Sequence, residues 1–202
     1  MQRFSFPIVL LAAGASRRMR GRDKLLEDVG GMPCLRAQAQ KARAATWGEV
    51  IVTLPPAPHA RYEAVSGLGV EVVSVPDAKE GIAASLRTAI AALPSDVPCA
   101  MVLLADLPAL EIPDLCRLAE AVDLSSPIVI WRGATPSGKG GHPIVFHCSL
   151  FPKLYALQGD RGAQTLIAQH ANDVLHVPFE DDRALLDLDT PEAWAAWRAQ
   201  GS

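Results

Sequence analysis

Short apolar runs alternate with longer amphipathic segments along the whole chain. The apolar runs are continuous, which is typical of strands in a sheet that is covered on both faces. They predict strands over residues 6–12, 50–54, 70–75, 100–104, 127–131, 143–146 and 174–177. The segments between them predict helices over residues 33–45, 59–66, 83–93, 112–122, 161–171 and 191–200. This alternation predicts an α/β fold with a mostly parallel sheet and helices on both faces.

Length and composition favour one folded domain over residues 1–202. The chain has 202 residues, of which 50% are hydrophobic and 20% charged, so it can bury a core. Its net charge of -3 gives no basic face for phosphate neutralisation, and we expect no nucleic-acid partner. No apolar run reaches the roughly 20 residues that a bilayer crossing needs, so we expect no membrane contact.

The cellular compartment is predicted from the N-terminus and the cysteines. The apolar run at residues 7–14 is short, β-branched and followed by arginines, which favours a buried first strand over a signal peptide. The four cysteines are scattered without a CxxC pair, which is typical of buried thiols in a reducing compartment. We therefore expect a cytoplasmic protein without a structural zinc site.

A loop rich in small residues follows the first predicted strand, where ligands of parallel sheets bind. Leu11, Ala12, Ala13, Gly14 and Ser16 would let a ligand approach the backbone, and exposed N–H groups in such a turn bind anions. Four arginines and one lysine follow within positions 17–24, enough positive charge for a triphosphate. The alternative is an ordinary solvated loop with a basic face.

The lysine of this loop favours the phosphate interpretation. Lys24 stands where the loop re-enters an apolar segment, a position suited to a fixed phosphate contact. The loop has neither the dinucleotide fingerprint nor a Walker A motif. A Walker-like stretch at residues 133–140 is rejected, because Gly140 replaces the magnesium-binding hydroxyl residue and a strand follows it.

Carboxylates at two places are candidate metal ligands. Asp106 ends an apolar strand, where an unpaired carboxylate is costly to bury, and Mg²⁺ favours one or two carboxylates with phosphate oxygens. Asp106 could instead cap a turn before Pro108. Asp187 and Asp189 would face the same side of an extended segment, and one could complete the metal site. Asp189 could equally cap the last helix.

With these pieces placed, the chain resembles the molybdenum cofactor nucleotidyltransferases, most closely their cytidylyltransferase branch. Each motif is weak alone, but their order and spacing over nearly the whole chain are specific. The motifs are Leu11-Ala12-Ala13-Gly14-x-Ser16-x-Arg18-Met19, Lys24-Leu25-Leu26, Glu80-Gly81-x-x-x-Ser85-Leu86, Asp106-Leu107-Pro108, Gly141-His142-Pro143, Gly159-Asp160-x-Gly162-Ala163 and Asp187-Leu188-Asp189-Thr190-Pro191.

The resemblance implies a Rossmann-like nucleotidyltransferase fold and a role for each matched residue. Nucleotide binding would fall to Leu11, Ala12, Ala13, Gly14, Ser16, Arg18, Lys24, Pro76, Gly81 and Ser85. Lys24, Arg18 and Asp106 would be catalytic, and Mg²⁺ would bind Asp106 and Asp189. His142 and Asp187 would contact the acceptor, although His142 could also be a packed histidine ahead of a strand.

The implied reaction transfers CMP from CTP to the terminal phosphate of the molybdopterin-type cofactor and releases pyrophosphate. The sequence Ala12-Ala13-Gly14 is similar to that of CTP users, whereas the loop through Lys24 has the length found in GTP users. Ala105 also replaces a glycine that is frequent before the metal aspartate. Alternatives are a guanylyltransferase, a transferase for sugar or alcohol phosphates, and a cofactor-binding chaperone. A molybdoenzyme or its chaperone is a further candidate partner.

Overall fold

The computed structural model describes residues 2–159 and 162–200. Its strands are β1 (Ile8–Leu11), β2 (Asp28–Val29), β3 (Met32–Pro33), β4 (Val50–Leu54), β5 (Glu71–Ser74), β6 (Cys99–Leu104), β7 (Ile130–Ala134), β8 (Gly140–His147) and β9 (Val174–Pro178). Its α-helices are α1 (Cys34–Ala45), α2 (Arg61–Val65), α3 (Ile82–Ala91), α4 (Ile112–Glu120), α5 (Phe151–Tyr155), α6 (Gln164–Gln169) and α7 (Pro191–Ala199).

Seven strands form one sheet in the order β5-β4-β1-β6-β8-β7-β9. Only β8 runs antiparallel to its neighbours, so the predicted α/β fold with a mostly parallel sheet is confirmed. The carboxyl ends of β1, β4, β5, β6 and β7 meet at one edge of the sheet, where β8 begins. We call this the carboxyl edge, and it carries the loops that the sequence singles out.

Side chains of the central strand alternate between two apolar layers. Ile8 and Leu10 pack with Leu35 of α1 on one face, and Val9 and Leu11 pack on the other face. This period of two is that of a strand covered on both sides, which explains why the run is apolar throughout. The same pattern fixes which face each residue at the carboxyl edge occupies.

The strand predicted over residues 127–131 is shifted in the structure to Ile130–Ala134. The residues before it form a turn, in which the Asp123 carboxylate accepts hydrogen bonds from the Ser125 N–H and hydroxyl groups at 2.9 and 2.6 Å. Gly133 lies inside this strand, and only a residue without a Cβ fits there, because an added Cβ would lie 2.8 Å from the His142 carbonyl oxygen. The residues that imitate a Walker motif are therefore the end of β7 and the turn into β8.

Other elements differ from the prediction mainly at their ends. The β2–β3 hairpin and α5 were not predicted, because both are too short to show a period. The helix predicted over 161–171 is observed as α6, and its first residue, Arg161, lies outside the described residues, as does Asp160. None of the helices in the described part of the chain combines the length and apolar character that a membrane crossing needs.

Candidate active site

The loop after β1, residues 12–24, folds over the carboxyl edge, and we call it the opening loop. It contains a single turn of 3-10 helix at Arg17–Met19, and a second turn, Lys24–Leu26, follows it. Ser16 and Arg20 flank the first turn in the left-handed conformation, at φ 50° and 53°. Because that conformation is uncommon for residues other than glycine, the loop must be held by contacts elsewhere.

Arg61 of α2 is one such contact, and the sequence did not predict it. Its side chain is only 2% exposed, and its guanidinium binds both oxygens of Asp23 at 2.8 and 2.7 Å. The same group donates to the Ala12 carbonyl at 2.6 Å and to the Ser16 hydroxyl at 3.1 Å. Arg61 therefore joins both ends of the opening loop, and Asp23 also accepts from the Leu25 N–H.

Lys24 lies between two carboxylates from distant parts of the chain. Its ammonium forms an ion pair with Asp106 and another with Asp189, the latter at 2.5 Å. All three side chains are 13–14% exposed. Arg18, which is largely exposed, pairs with Asp189 from the outside. We call these four residues the Lys24 cluster. The sequence predicts a phosphate contact for Lys24 and gives no sign of its pairing with Asp106 and Asp189.

The charges of the cluster stabilise one another. Burial opposes the charge on Lys24, but the carboxylates of Asp106 and Asp189 outweigh it and raise the pKa of Lys24. Burial also opposes ionisation of Asp189, yet Lys24 and Arg18 hold the pKa of Asp189 below its usual range. Partial desolvation, together with the neighbouring Asp189, raises the pKa of Asp187. Asp187 and Asp189 therefore influence each other's ionisation.

The last helix does not use Asp189 as its cap. The Thr190 hydroxyl accepts a hydrogen bond from the Ala193 N–H at 3.2 Å, and Thr190 is the N-cap residue of α7. Asp189 is therefore available to the Lys24 cluster. This resolves the alternative that the sequence left open for that residue.

A cavity of about 330 Å³ adjoins the Lys24 cluster. Most of the residues that the family resemblance assigns to the nucleotide and the metal line it. They are Leu11, Ala12, Ala13, Gly14, Ser16, Arg18, Lys24, Gly81, Ser85, Asp106 and Asp189. Pro76 lines a second cavity, of about 960 Å³, which shares the opening-loop residues Ala13–Arg17 with the first. Both volumes fall in the range of small-molecule sites.

The wall of the first cavity at α3 is fixed by a polar network. Arg87 donates to both Glu80 oxygens at 2.8 and 2.6 Å and to the Leu157 carbonyl at 2.6 Å. The Gly159 N–H donates to Glu80 at 3.0 Å, and the Ala83 N–H donates to the Gly159 carbonyl at 3.3 Å. Hydrogen bonds from Arg87 and Gly159 lower the pKa of Glu80 to about 2. Glu80 therefore ties the start of α3 to the loop before α6.

His142 and Asp187, the predicted acceptor contacts, do not line the first cavity. His142 lies at the start of β8, where its Nδ1 atom is buried and has no hydrogen-bond partner among residues 2–159 and 162–200. Burial and then the charge of Arg132 lower the pKa of His142 to about 4, against an opposing effect of Asp106. The ring is therefore neutral near pH 7.

The carboxylates fit a divalent cation that is shared with a phosphate ligand. Within the described part of the chain, no three His, Cys, Asp or Glu side chains gather as a metal site. Asp106 and Asp189 do lie on either side of one ammonium group, at a cavity wall. Mg²⁺ commonly takes one or two carboxylates and completes its shell with water and substrate phosphate oxygens.

Comparison with known proteins identifies related chains. The family model of the MobA-like NTP transferase domain matches residues 8–174. Rv0371c from Mycobacterium tuberculosis H37Rv is 29% identical, with a TM-score of 0.82 over 97% of this chain and 98% of that chain. A complex of Rv0371C with manganese is 27% identical, with a TM-score of 0.78 over 95% and 97% of the two chains. No curated protein matches the sequence.

A more distant solved structure has the same fold. A CMP:2-keto-3-deoxy-manno-octonic acid synthetase in complex with CTP is 16% identical to this chain. It superposes with a TM-score of 0.74 over 97% of this chain and 98% of that chain. At this level of identity the likeness shows the fold alone.

Proposed function

Because the chain belongs to the MobA-like NTP transferase domain family, we propose that it transfers CMP from CTP to a phosphorylated acceptor, the molybdopterin-type molybdenum cofactor. One observation carries the proposal. The opening loop, the Lys24 cluster and the start of α3 line a single cavity at the carboxyl edge. Nucleotidyl transfer needs a phosphate-binding loop, positive charge and metal-binding carboxylates together, and these elements supply all three.

The opening loop is suited to hold the triphosphate. Gly14 leaves open space where a Cβ would stand, so a ligand can approach the backbone there. Arg17 and Arg18 line the same cavity and supply positive charge for the phosphates. The Arg61 guanidinium holds the loop in position through hydrogen bonds to Asp23 and to the Ala12 carbonyl. Little reorganisation is therefore needed when the nucleotide binds.

The proposed reaction is an in-line displacement at the α-phosphorus. An oxygen of the acceptor phosphate forms a bond to that phosphorus, and the bond to the bridging oxygen of the β-phosphate breaks. Pyrophosphate leaves with the electron pair. A phosphate dianion is already a nucleophile, so alignment and charge stabilisation replace a general base.

A divalent metal ion is the proposed cofactor, and Mg²⁺ is the expected one. Asp106 and Asp189 would hold it, and when bound it would polarise the phosphate oxygens and neutralise charge on the leaving group. Lys24 would then be released from its two carboxylates. Lys24 lines the first cavity, so its ammonium would then contact the phosphates as the family resemblance implies.

The choice of CTP rests on the opening loop. The small side chains of Ala12 and Ala13 are nearly fully buried, and both residues line the first cavity. Their sequence is similar to that of cytidylyltransferases, which supports CTP over GTP. A synthetase with the same fold has been solved in complex with CTP, so this fold is able to hold that nucleotide.

Pyrophosphate release tests the proposal. The protein is incubated with Mg²⁺, molybdopterin-type cofactor and each of CTP, GTP, ATP and UTP in turn. We expect release with CTP, and a loss of at least about 100-fold in Asp106→Asn, because a metal-binding charge is removed. Asp96→Asn, which changes an exposed aspartate outside both cavities, serves as the matched control and should keep full activity.

Each other result has a definite meaning. Release with GTP alone would make GTP the substrate. The length of the opening loop would then be a better guide to the base than its small residues. Release only with a sugar or alcohol phosphate as acceptor would exclude the molybdenum cofactor. Full activity in Asp106→Asn would remove Asp106 from the mechanism, and nucleotide binding without release from any acceptor would indicate a binding protein.

A further inference from the structure

We propose that Lys41 of α1 is a positioning residue for the metal site. It holds the loop between β6 and α4, residues 105–111, so that Asp106 and Asp189 can bind one divalent cation. We call this segment the Asp106 loop. The inference rests on the proposed nucleotidyl transfer and adds a residue that lies outside the sequence motifs and lines neither cavity. Lys41 would therefore act through the backbone that carries Asp106, without touching a ligand.

The Lys41 ammonium has its hydrogen-bond donors engaged by the Asp106 loop. It donates to the carbonyl oxygens of Pro108 and Leu110 at 2.9 Å each, and to a carboxylate oxygen of Glu111 at 2.8 Å. An ammonium group carries three donors, so these three acceptors saturate it. The side chain is only 17% exposed, and a partly buried cation is costly without such partners. Lys41 therefore fixes the chain shortly after Asp106.

A second residue of α1 holds the other end of the Asp106 loop. The Cys34 thiol is buried and donates to the Ala105 carbonyl at 3.2 Å. Cys34 and Lys41 are seven residues apart in the helix, which is about two turns, so they project from the same face of α1. One helix face therefore contacts the backbone on both sides of Asp106.

The backbone of the Asp106 loop also places the second carboxylate. The Leu188 N–H donates to the Asp106 carbonyl at 3.2 Å, and the Trp194 indole N–H donates to the Leu188 carbonyl at 2.9 Å. Leu188 is buried in an apolar cluster with Cys34 and Trp194. Asp189 directly follows Leu188 in the chain, so its position beside Asp106 depends on where the Asp106 loop lies.

The separation of the two carboxylates matters because Mg²⁺ requires near-ideal octahedral coordination. Removing a residue that orients a metal ligand typically lowers metal affinity about 10- to 100-fold, although that residue does not touch the ion. Without the Lys41 ammonium, the carbonyl groups of Pro108 and Leu110 lose this donor, and the loop is free to shift relative to Asp189. We therefore expect the loss of Lys41 to weaken metal binding and to leave the opening loop unchanged.

The test measures how strongly Mg²⁺ promotes nucleotide binding to the whole chain. The probe is the non-reacting analogue cytidine 5′-(α,β-methylene)triphosphate, which we call the CTP analogue, so neither acceptor nor turnover is needed. Calorimetric titration gives its Kd in EDTA and in saturating Mg²⁺. The ratio of the two Kd values measures the coupling between metal and nucleotide, whereas the Kd in EDTA measures the contacts of the opening loop alone.

Four variants of α1 decide the assignment. Lys41→Met should lower the ratio about 10-fold and leave the Kd in EDTA unchanged, which also shows that the variant is folded. Lys41→Arg, which keeps the charge and several donors, should recover part of the ratio. Lys41→Gln is a milder change that gives the same comparison if Lys41→Met does not fold. Arg43→Met is the matched control, because Arg43 donates to the Gly48 carbonyl at 3.0 Å in the turn before β4. It should keep the wild-type ratio.

The outcomes separate this inference from the proposed function. A wild-type ratio in Lys41→Met, or an equal fall in Arg43→Met, would overturn the role of Lys41 and leave the proposed function standing. If the wild type binds the CTP analogue equally well in EDTA and in Mg²⁺, the proposed metal site fails. If the wild type binds it in neither condition, the proposed transfer from CTP fails. In both of these cases the inference fails as well.

Discussion

At the scale of single residues, the Lys24 cluster places one ammonium group between two carboxylates that are only 13–14% exposed. A lysine after a small-residue loop predicts a phosphate contact, and nothing in the local pattern shows that two aspartates lie around it. Asp106 and Asp189 are brought to Lys24 by β6 and by the segment before α7. The pairing arises because two neighbouring carboxylates repel each other unless a cation lies between them.

Replacing this lysine should affect stability as well as catalysis. We expect Lys24→Met to lower the free energy of unfolding by about 2 kcal/mol without metal, because two partly buried carboxylates lose their cation. Added Mg²⁺ should raise the melting temperature more in this variant than in the wild type, since a divalent ion can replace the lost charge. Thermal unfolding with and without MgCl₂ measures both effects.

Lys153→Met is the matched control, since this lysine is exposed and its ammonium forms a hydrogen bond with His170 and no ion pair among the described residues. Its melting temperature should respond to Mg²⁺ like that of the wild type. An unchanged melting temperature and an unchanged metal response in Lys24→Met would show that Lys24 does not hold the two carboxylates together.

At the scale of elements, the sequence predicts where the opening loop lies but not which residue holds it in position. Its small residues and basic charges can be read directly, since they are contiguous in the chain. Arg61, which joins Ala12 to Asp23, comes from α2, which follows β4 in the chain. One arginine at the start of a helix has no distinguishing pattern, so its role is visible only when the elements have packed.

The glycine of this loop allows a test that separates folding from binding. Gly14 does not have a positive φ, and an added Cβ would meet no protein atom within 4 Å. Gly14→Ala should therefore change the free energy of unfolding by less than about 0.5 kcal/mol, as for an unconstrained surface position. It should weaken binding of the CTP analogue at least about tenfold, because the methyl group enters the space next to the backbone.

Urea denaturation and calorimetric titration with the analogue measure the two quantities. Gly141→Ala gives the opposite expectation, because its Cβ would stand 2.1 Å from the Ala184 carbonyl oxygen. Gly141→Ala should therefore lower the free energy of unfolding. Undiminished nucleotide affinity in Gly14→Ala would mean that the ligand does not approach the opening loop at this residue.

At the scale of the whole molecule, the sheet order determines which loops meet. It brings the ends of β1, β6 and β7 and the start of β8 to one edge, although these are distant in the chain. It also places the imidazole of His142 where desolvation and the charge of Arg132 lower its pKa, with consequences for the stability of the whole fold.

Global stability should fall at mildly acid pH because of this histidine. Burial and Arg132 lower the pKa of folded His142 to about 4, below its ordinary value of 6.5. Between these two values the unfolded chain binds a proton that the folded chain does not, so the free energy of unfolding falls as pH drops from 6.5 to 4. The shift corresponds to about 3 kcal/mol.

Denaturation in urea at pH 7 and at pH 4.5 tests this expectation. His142→Gln should lose less stability between these pH values than the wild type, since it cannot take up the proton. The exposed His176→Gln should follow the wild type. The assigned burial would be wrong if His142→Gln and wild type lost the same stability on acidification.

The sequence by itself determined the α/β class, the alternating elements, the opening loop and the carboxylates that end strands. These follow from neighbouring residues, because periodicity, turn chemistry and clustered charge are local properties of the chain. Only the tertiary structure decided that Lys24 pairs with Asp106 and Asp189, that Arg61 holds the opening loop, and that Arg132 donates to the Gly141 carbonyl. Each of these contacts joins residues from separate elements, and the packing of the sheet, which no local pattern encodes, sets their distances.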